Sequence, residues 1–181
     1  MPMIDLTYPQ GALEPDALAE AIEKMTDTFL RVEGAPVNDA TRAMSWTIVN
    51  EMPPGAINVG GRPAEQPVYR LLLTAPEGTL LSGPGPFAKQ SRAQLVREIT
   101  EIVLAAEGTE YSSGDAGRVM VLIREIEDGR WGGMGTIFTM SDIIAFASPD
   151  VPQTDISAEA REALARMLPA LAGSDGAGAG Q

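Results

Sequence analysis

The chain has 181 residues and carries 25 acidic against 13 basic side chains, a formal net charge of −12 at pH 7. Because nucleic-acid binding draws on clustered lysine and arginine, this balance argues against a nucleic-acid partner. Neither cysteine nor histidine occurs, which excludes disulfides, thiol nucleophiles, Ser-His-Asp triads and histidine acid–base chemistry, and makes a metal site an unfavoured interpretation.

The N-terminal residues, MPMIDLTYPQ, contain neither a basic region nor a long apolar stretch, so they do not resemble a secretory signal. No apolar run reaches the roughly 18 residues that a membrane span needs. We therefore expect a cytoplasmic protein with no membrane partner. Because the chain has neither cysteine nor histidine, the base of any enzymatic activity must be a carboxylate, a lysine, a tyrosine or the amino terminus itself.

The chain begins with a short strand-like segment, Met3 to Tyr8, that proline and glycine follow. A helix is predicted to begin near Glu14, with Pro15 at its first position, where a missing N–H costs little. Gly34 is predicted to end it. The apolar residues between these points recur at helical spacing, namely Leu18, Ile22, Met25 and Phe29.

The segments that follow this helix occur twice. Residues 51–57, EMPPGAI, resemble residues 125–131, EIEDGRW, and a glycine-rich turn follows each segment. An apolar run precedes each segment, from Trp46 to Val49 and from Val119 to Ile123, and predicts a strand. A repeat of this kind indicates two copies of one structural unit.

The second copy also begins with a strand, residues 68–73, and a helix over about residues 91–106, which Gly108 ends. The order is therefore strand, helix, strand and glycine hairpin, twice, over residues 2–61 and 67–140. This tandem β-α-β repeat predicts an α+β fold in which one four-stranded sheet carries two helices on one face.

The C-terminal region differs in composition from the repeats. We assign residues 1–148 to the domain that contains both copies. Residues 149–172 contain prolines and then an apolar pattern, which predicts a linker and a C-terminal helix. The Gly/Ala-rich residues 173–181 are typical of a disordered tail.

Proline at position 2, followed by a strand, a helix, a strand and a glycine hairpin, resembles the plan of the tautomerase superfamily, which includes 4-oxalocrotonate tautomerase, malonate semialdehyde decarboxylase and cis-3-chloroacrylic acid dehalogenase. The best matches are Pro2-Met3-Ile4 with Gly11, the strand end Asn50-Glu51-Met52 and the two hairpins. The resemblance covers about residues 2–146. It implies a homotrimer with a small anionic, keto or enol substrate, no cofactor and no metal.

The resemblance also implies that Pro2 is the catalytic amine. Loss of Met1 would leave Pro2 with a secondary amine, and burial among apolar side chains would lower the pKa of this amine. The neutral amine is then a general base for keto–enol proton transfer, or a nucleophile toward a carbonyl. If Met1 is retained, Pro2 is an amide without a basic lone pair, and the mechanism fails.

A substrate carboxylate or an enolate needs a hydrogen-bond donor, and arginine suits both because its fork binds a carboxylate bidentately. Arg70 lies on the strand that corresponds to the one with Pro2, and Arg124 corresponds to Asn50 in the repeat. Substrate binding is therefore predicted for a group of cationic and polar residues, namely Arg70, Arg124, Arg62, Arg130, Asn50 and Tyr69.

The comparison with 4-oxalocrotonate tautomerase implies a role for both tryptophans. An aromatic residue in its glycine hairpin shields the proline, and Trp131 matches this position in the second copy. Trp46 lies near the position of a substrate-binding arginine. The chain departs from the family at Ala12, where that enzyme has an arginine, and at residues 75–77, where the dehalogenase and the decarboxylase have an arginine pair.

Three functions remain open from the sequence. The first is a cofactor-free tautomerase. The second is a catalytically silent trimeric binding module, which the missing family arginines favour. The third is a hydratase or decarboxylase in which Pro2 acts with Asp39, a residue that resembles the water-positioning aspartate of the decarboxylase.

Overall fold

A four-stranded mixed sheet forms the centre of the fold, which a computed structural model describes over residues 2–80, 92–133 and 135–147. The predicted linker, C-terminal helix and tail, residues 149–181, lie outside the described residues, so these assignments stay predictions. In chain order, the described strands are β1 Met3–Pro9, β2 Trp46–Met52, β3 Asn58–Val59, β4 Arg62–Pro63, β5 Tyr69–Pro76, β6 Val119–Ile126, β7 Trp131–Gly133 and β8 Thr136–Phe138.

The central sheet has the order β2-β1-β5-β6 and joins the two copies through their first strands. Within each copy the strands run parallel, β1 with β2 and β5 with β6. Between the copies, β1 and β5 run antiparallel, so that Met3 faces Thr74 and Thr7 faces Arg70. Corresponding residues of the two copies therefore lie at opposite ends of the sheet.

Two long helices cover one face of this sheet, as the sequence predicted. In chain order, the described helices are α1 Pro15–Glu33, α2 Asp39–Ala43, α3 Arg92–Glu107, α4 Ser113–Ala116 and α5 Met140–Ala147. Pro15 begins α1, and Gly34 ends it in the left-handed conformation with φ of 77°. The residues of β1 that alternate toward the helices are buried with Phe29 of α1 and Ile99 of α3 in one core, namely Ile4, Leu6 and Tyr8. The predicted α+β fold is confirmed.

The three shorter helices were not predicted. The helices α2 and α4 occupy the same place in each copy, and a side chain caps each: Asn38 accepts a hydrogen bond from the N–H of Thr41, and Ser112 accepts one from the N–H of Asp115. Helices of four or five residues show no apolar periodicity. The apolar helix α5 follows the second hairpin and is also too short for a clear pattern.

The face of the sheet opposite the helices is left uncovered. Cross-strand neighbours share a face, and the pairing of Trp46 with Met3 places it on this side. Trp46 is 64% exposed and Met120 of β6 is 60% exposed; Ile48 and Leu122 are also exposed. Several large apolar side chains exposed on one sheet face mark an interaction surface. No described helix is long and apolar enough to cross a membrane.

Candidate active site at the start of the first strand

Matching hydrogen bonds define how the residues of the two copies correspond. The N–H of Gly11 donates to Oε1 of Glu51 at 3.2 Å, and the N–H of Gly78 donates to Oε1 of Glu125 at the same distance. Gly11 and Gly78 are therefore equivalent, and so are the two glutamates. Counting back along β1 and β5 from these glycines makes Tyr69 the counterpart of Pro2.

Pro2 is buried at the start of β1, an inner strand of the sheet. Its carbonyl oxygen accepts a hydrogen bond from the N–H of Trp46 at 3.2 Å. On the other side of β1, Met3 faces Thr74, so the register continues with Pro2 beside Ala75. Pro2 therefore lies between the start of β2 and the end of β5.

A buried carboxylate, that of Glu33, lies at this end of the sheet. Glu33 is the last residue of α1 and is 2% exposed. The Thr79 hydroxyl is 3.4 Å from its Oε1 atom. Glu33 and Thr79 line a small pocket together with Thr41 of α2, Met44 just after α2 and apolar side chains of α5, among them Ile143. Burial raises the pKa of the Glu33 carboxyl, and the positive charge of the amino terminus acts in the opposite direction.

Glu33 was not among the predicted site residues. A glutamate at the end of an amphipathic helix is usually solvated, so its type and position gave no reason to select it. One signal was nevertheless present: the dipeptide Glu-Gly ends the long helix in both copies, at residues 33–34 and 107–108.

Three of the predicted site residues lie at the Pro2 end of the sheet. Trp46 is the neighbour of Met3 on one side, and Arg124 lies two strands away on the other, through its pairing with Thr74. This separation is about 10 Å across the sheet. Trp131 of β7 packs against the same small apolar cluster as Met44, which lines the Glu33 pocket.

The other predicted residues lie elsewhere in the same chain. Arg70 and Asn50 both pair with Thr7 of β1, roughly 16 Å along the strand from Pro2. Tyr69 begins β5 at that same far end. Arg62 lies on β4 and lines a groove with Arg118. Arg130 is exposed at the start of the second hairpin, and Asp39 is exposed at the start of α2. Their roles in substrate binding stay predictions.

At the far end, Tyr69 is the counterpart of Pro2 and lies in a charged cluster. The Arg118 guanidinium donates two hydrogen bonds to the Glu107 carboxylate, at 2.8 and 2.7 Å. These bonds hold the pKa of Glu107 below its usual range. Burial, followed by the nearby Glu107 carboxylate, raises the pKa of the Tyr69 hydroxyl. This hydroxyl makes no well-aligned hydrogen bond with any described residue.

The described residues contain no group of three carboxylates that could hold a metal ion. The functional groups at the Pro2 end are the amine that loss of Met1 would release, the buried Glu33 carboxylate, the Thr79 hydroxyl and the Arg124 guanidinium. These groups can exchange protons and stabilise an anion.

No protein-family model and no curated protein matches the chain, whereas many solved structures resemble it. N1, a member of the cis-3-chloroacrylic acid dehalogenase family, is 19% identical, with a TM-score of 0.60 over 91% of this chain and 99% of that one. Pt0534 inactivated by 2-oxo-3-pentynoate is 17% identical, with a TM-score of 0.57 over 75% of this chain and 94% of that one. A wild-type symmetric trimer of Q0 fused 4-OT is 19% identical, with a TM-score of 0.54 over 79% of this chain and 98% of that one.

At these sequence identities the structural similarity establishes the fold alone. It confirms the fold that the resemblance in the sequence implied. The similarity extends over nearly the whole length of each of these proteins, so it includes both β-α-β copies. The chain therefore has the fold of the tautomerase superfamily, in the layout in which two β-α-β copies are fused in one chain.

Proposed function

We propose that the chain is a cofactor-free tautomerase in which the Pro2 amine, freed by loss of Met1, is the general base. The observation that carries this proposal is the burial of Pro2 at the start of the inner strand β1. Burial disfavours the ammonium form of an amine, so part of the Pro2 population can be neutral near physiological pH. A neutral amine at a fixed position is an effective general base.

The proton transfer closes without a co-reactant. The neutral amine removes the hydroxyl proton of an enol substrate, and the resulting ammonium gives the proton to the adjacent carbon, which yields the ketone and regenerates the amine. The enolate that forms between these steps needs a donor. Arg124 is suited to this role because its exposed guanidinium lies at the Pro2 end and forms no ion pair with a described residue.

We also propose that the active form is a homotrimer. Q0 fused 4-OT, which shares the fold, is a trimer, and the uncovered apolar sheet face of this chain is a surface that such an assembly would bury. In a trimer, Arg70 and Asn50, which are exposed on this face far from Pro2, would have to reach the site of a neighbouring copy. The substrate would then be a small keto or enol compound held partly across an interface.

Leu122→Asp tests the trimer, because it places a charge on the uncovered face, at the edge strand β6. We expect light scattering to give the mass of the 19.1-kDa chain for this variant and three times that mass for the wild type. Val37→Asp is the control, since Val37 is an exposed apolar residue outside the sheet. A wild type that is monomeric at all concentrations would contradict the proposal.

The state of Pro2 tests the enzymatic proposal. We expect the intact mass of the untagged protein to lack Met1. We also expect 2-oxo-3-pentynoate, which inactivates Pt0534, to give one covalent adduct at Pro2: the nitrogen adds to the triple bond, and its proton moves to the neighbouring carbon. A mass that retains Met1, or adducts at the lysines alone, would favour the silent binding module.

Asp39 is exposed, so no structural observation favours the hydratase or decarboxylase alternative.

A further inference from the structure

Two carboxylates are buried among the described residues, those of Glu33 and Asp142. A buried carboxylate is costly unless hydrogen bonds or a cation compensate it. Asp142 caps the start of α5, because its Oδ2 accepts hydrogen bonds from the Thr139 N–H at 2.8 Å and from the Thr139 hydroxyl at 2.7 Å. Glu33 has no comparable role at a helix start, since it lies at the C-terminal end of α1.

Two residues that line the Glu33 pocket, Met44 and Thr79, are connected to the strand neighbours of Pro2. On one side of the pocket lies Met44, and the chain continues from there to Trp46, whose N–H donates to the Pro2 carbonyl oxygen. On the other side lies Thr79, whose hydroxyl donates to the carbonyl oxygen of Pro76 at 2.9 Å. Because Pro76 follows the residue beside Pro2, both walls of the pocket are attached to the neighbours of Pro2.

The second copy shows the same arrangement with different side chains. Glu107 is the counterpart of Glu33, since each is the last helical residue before a glycine with positive φ. Glu107 lies near Tyr69, the counterpart of Pro2. The equivalence of the two copies therefore predicts, independently of the pocket walls, that Glu33 lies near Pro2.

One residue difference between the two copies distinguishes the Pro2 end of the sheet from the Tyr69 end. Arg118 lies 11 positions after Glu107 and neutralises it, whereas Met44 occupies the equivalent position after Glu33. The first copy thus has a buried carboxylate and, at the position equivalent to Arg118, an apolar side chain. A cation that the mature first copy can offer to this carboxylate is the Pro2 amine.

We propose that Glu33 is the counter-ion of the Pro2 amine in the mature protein, and that this positioning residue sets the pH at which the neutral base appears. This inference rests on the proposed function only in requiring that Met1 is lost. An adjacent carboxylate favours the ammonium form, so it opposes the effect of burial. The neutral amine, and with it activity, is then expected to increase as the pH rises.

The other charged groups near this end have partners or positions of their own. No charged side chain other than Glu33 lines the pocket among the described residues. On the surrounding elements, three arginines form ion pairs at 2.6 Å, namely Arg31 with Glu98, Arg42 with Asp27 and Arg92 with Glu125. Asp142 caps α5 and Asp39 is exposed. Asp5 and Arg124 lie on the face of the sheet opposite Glu33, where Arg124 can reach a substrate at the Pro2 end from the uncovered side.

The test is a pH titration of the Pro2 nitrogen by direct ¹⁵N detection in protein labelled with ¹⁵N-proline. In Glu33→Gln the carboxylate is lost without a change of shape, so the midpoint should fall by about one pH unit or more, which is a tenfold weaker proton affinity. Glu23→Gln is the matched control: it removes the same charge from the same helix, but the Glu23 side chain is 69% exposed. We expect it to leave the midpoint unchanged.

Met44→Arg provides a second variant that retains Glu33. It supplies the guanidinium that Arg118 supplies in the second copy, so it should also lower the midpoint of the Pro2 nitrogen. If Pro2 titrates and neither variant lowers its midpoint, the counter-ion role is wrong, whatever the enzymatic activity. If the variants shift the midpoint but the protein turns over no enol substrate, the counter-ion role holds and the tautomerase proposal fails. Retention of Met1 would overturn both.

Discussion

Replacement of Pro2 by alanine should lower the turnover of an enol substrate such as phenylenolpyruvate by about two to four orders of magnitude, the range that a general base contributes. Alanine leaves a terminal amine, but it removes the ring that holds the nitrogen in one orientation at the start of β1. Because alanine keeps the carbonyl oxygen that accepts the hydrogen bond from the Trp46 N–H, the loss should appear in kcat with little effect on the fold. The measurement is the steady-state rate of ketonisation.

Pro9→Ala is the matched control for this prediction. Pro9 ends the same strand at the opposite end of the sheet, so this variant removes a proline ring of β1 without touching the proposed base. We expect its activity to equal that of the wild type. Full activity of Pro2→Ala would end the proline mechanism, and a wild type that is inactive despite the loss of Met1 would favour the silent binding module.

Arg118→Met should lower the free energy of unfolding by about 3 kcal/mol, the lower end of the range for breaking a buried ion pair. The change gives the second copy the residue that the first copy has at Met44. It leaves the Glu107 carboxylate, whose side chain is only 12% exposed, without its guanidinium partner. It also removes the hydrogen bond from Arg118 to the Pro67 carbonyl oxygen at 2.8 Å. Urea unfolding followed by circular dichroism measures the loss.

The double variant Arg118→Met with Glu107→Leu is the control. Because it removes both charges, it should recover a large part of the lost stability. An unfolding midpoint for Arg118→Met equal to that of the wild type would show that the pair contributes nothing to the fold.

The pH dependence of the free energy of unfolding provides a second test of the Arg118–Glu107 ion pair. Arg118 lowers the pKa of Glu107 in the folded protein, so the stabilisation from this pair is present above the ordinary pKa of glutamate and is lost as the pH falls from there through the lowered pKa. In Arg118→Met this loss on acidification should disappear. Burial raises the pKa of Glu33, so its contribution has the opposite sign: stability is lost as the pH rises from the ordinary pKa of glutamate through the raised one.

The local features of the fold could be read from the sequence because their causes are local. Pro15 and Gly34 limit α1 through backbone geometry, and the apolar stripe between them faces the core in the structure. The repeated segments at residues 51–57 and 125–131 predicted the tandem layout, which in turn predicted the four-stranded sheet. Pro2 could be selected as a candidate for the same reason, since the resemblance depended on the order of these elements.

The composition of the site was decided by tertiary structure. The antiparallel pairing of β1 with β5 places corresponding residues of the two copies at opposite ends of the sheet, so Arg70 lies far from Pro2 while Arg124 lies near it. No periodicity within one strand contains this information. Likewise, Glu33 and Glu107 look alike in the sequence. Only the packing of each helix end shows that one carboxylate meets Arg118 and that the other lines a pocket with Thr79 and side chains of α5, because burial and charge pairing depend on segments far apart in the chain.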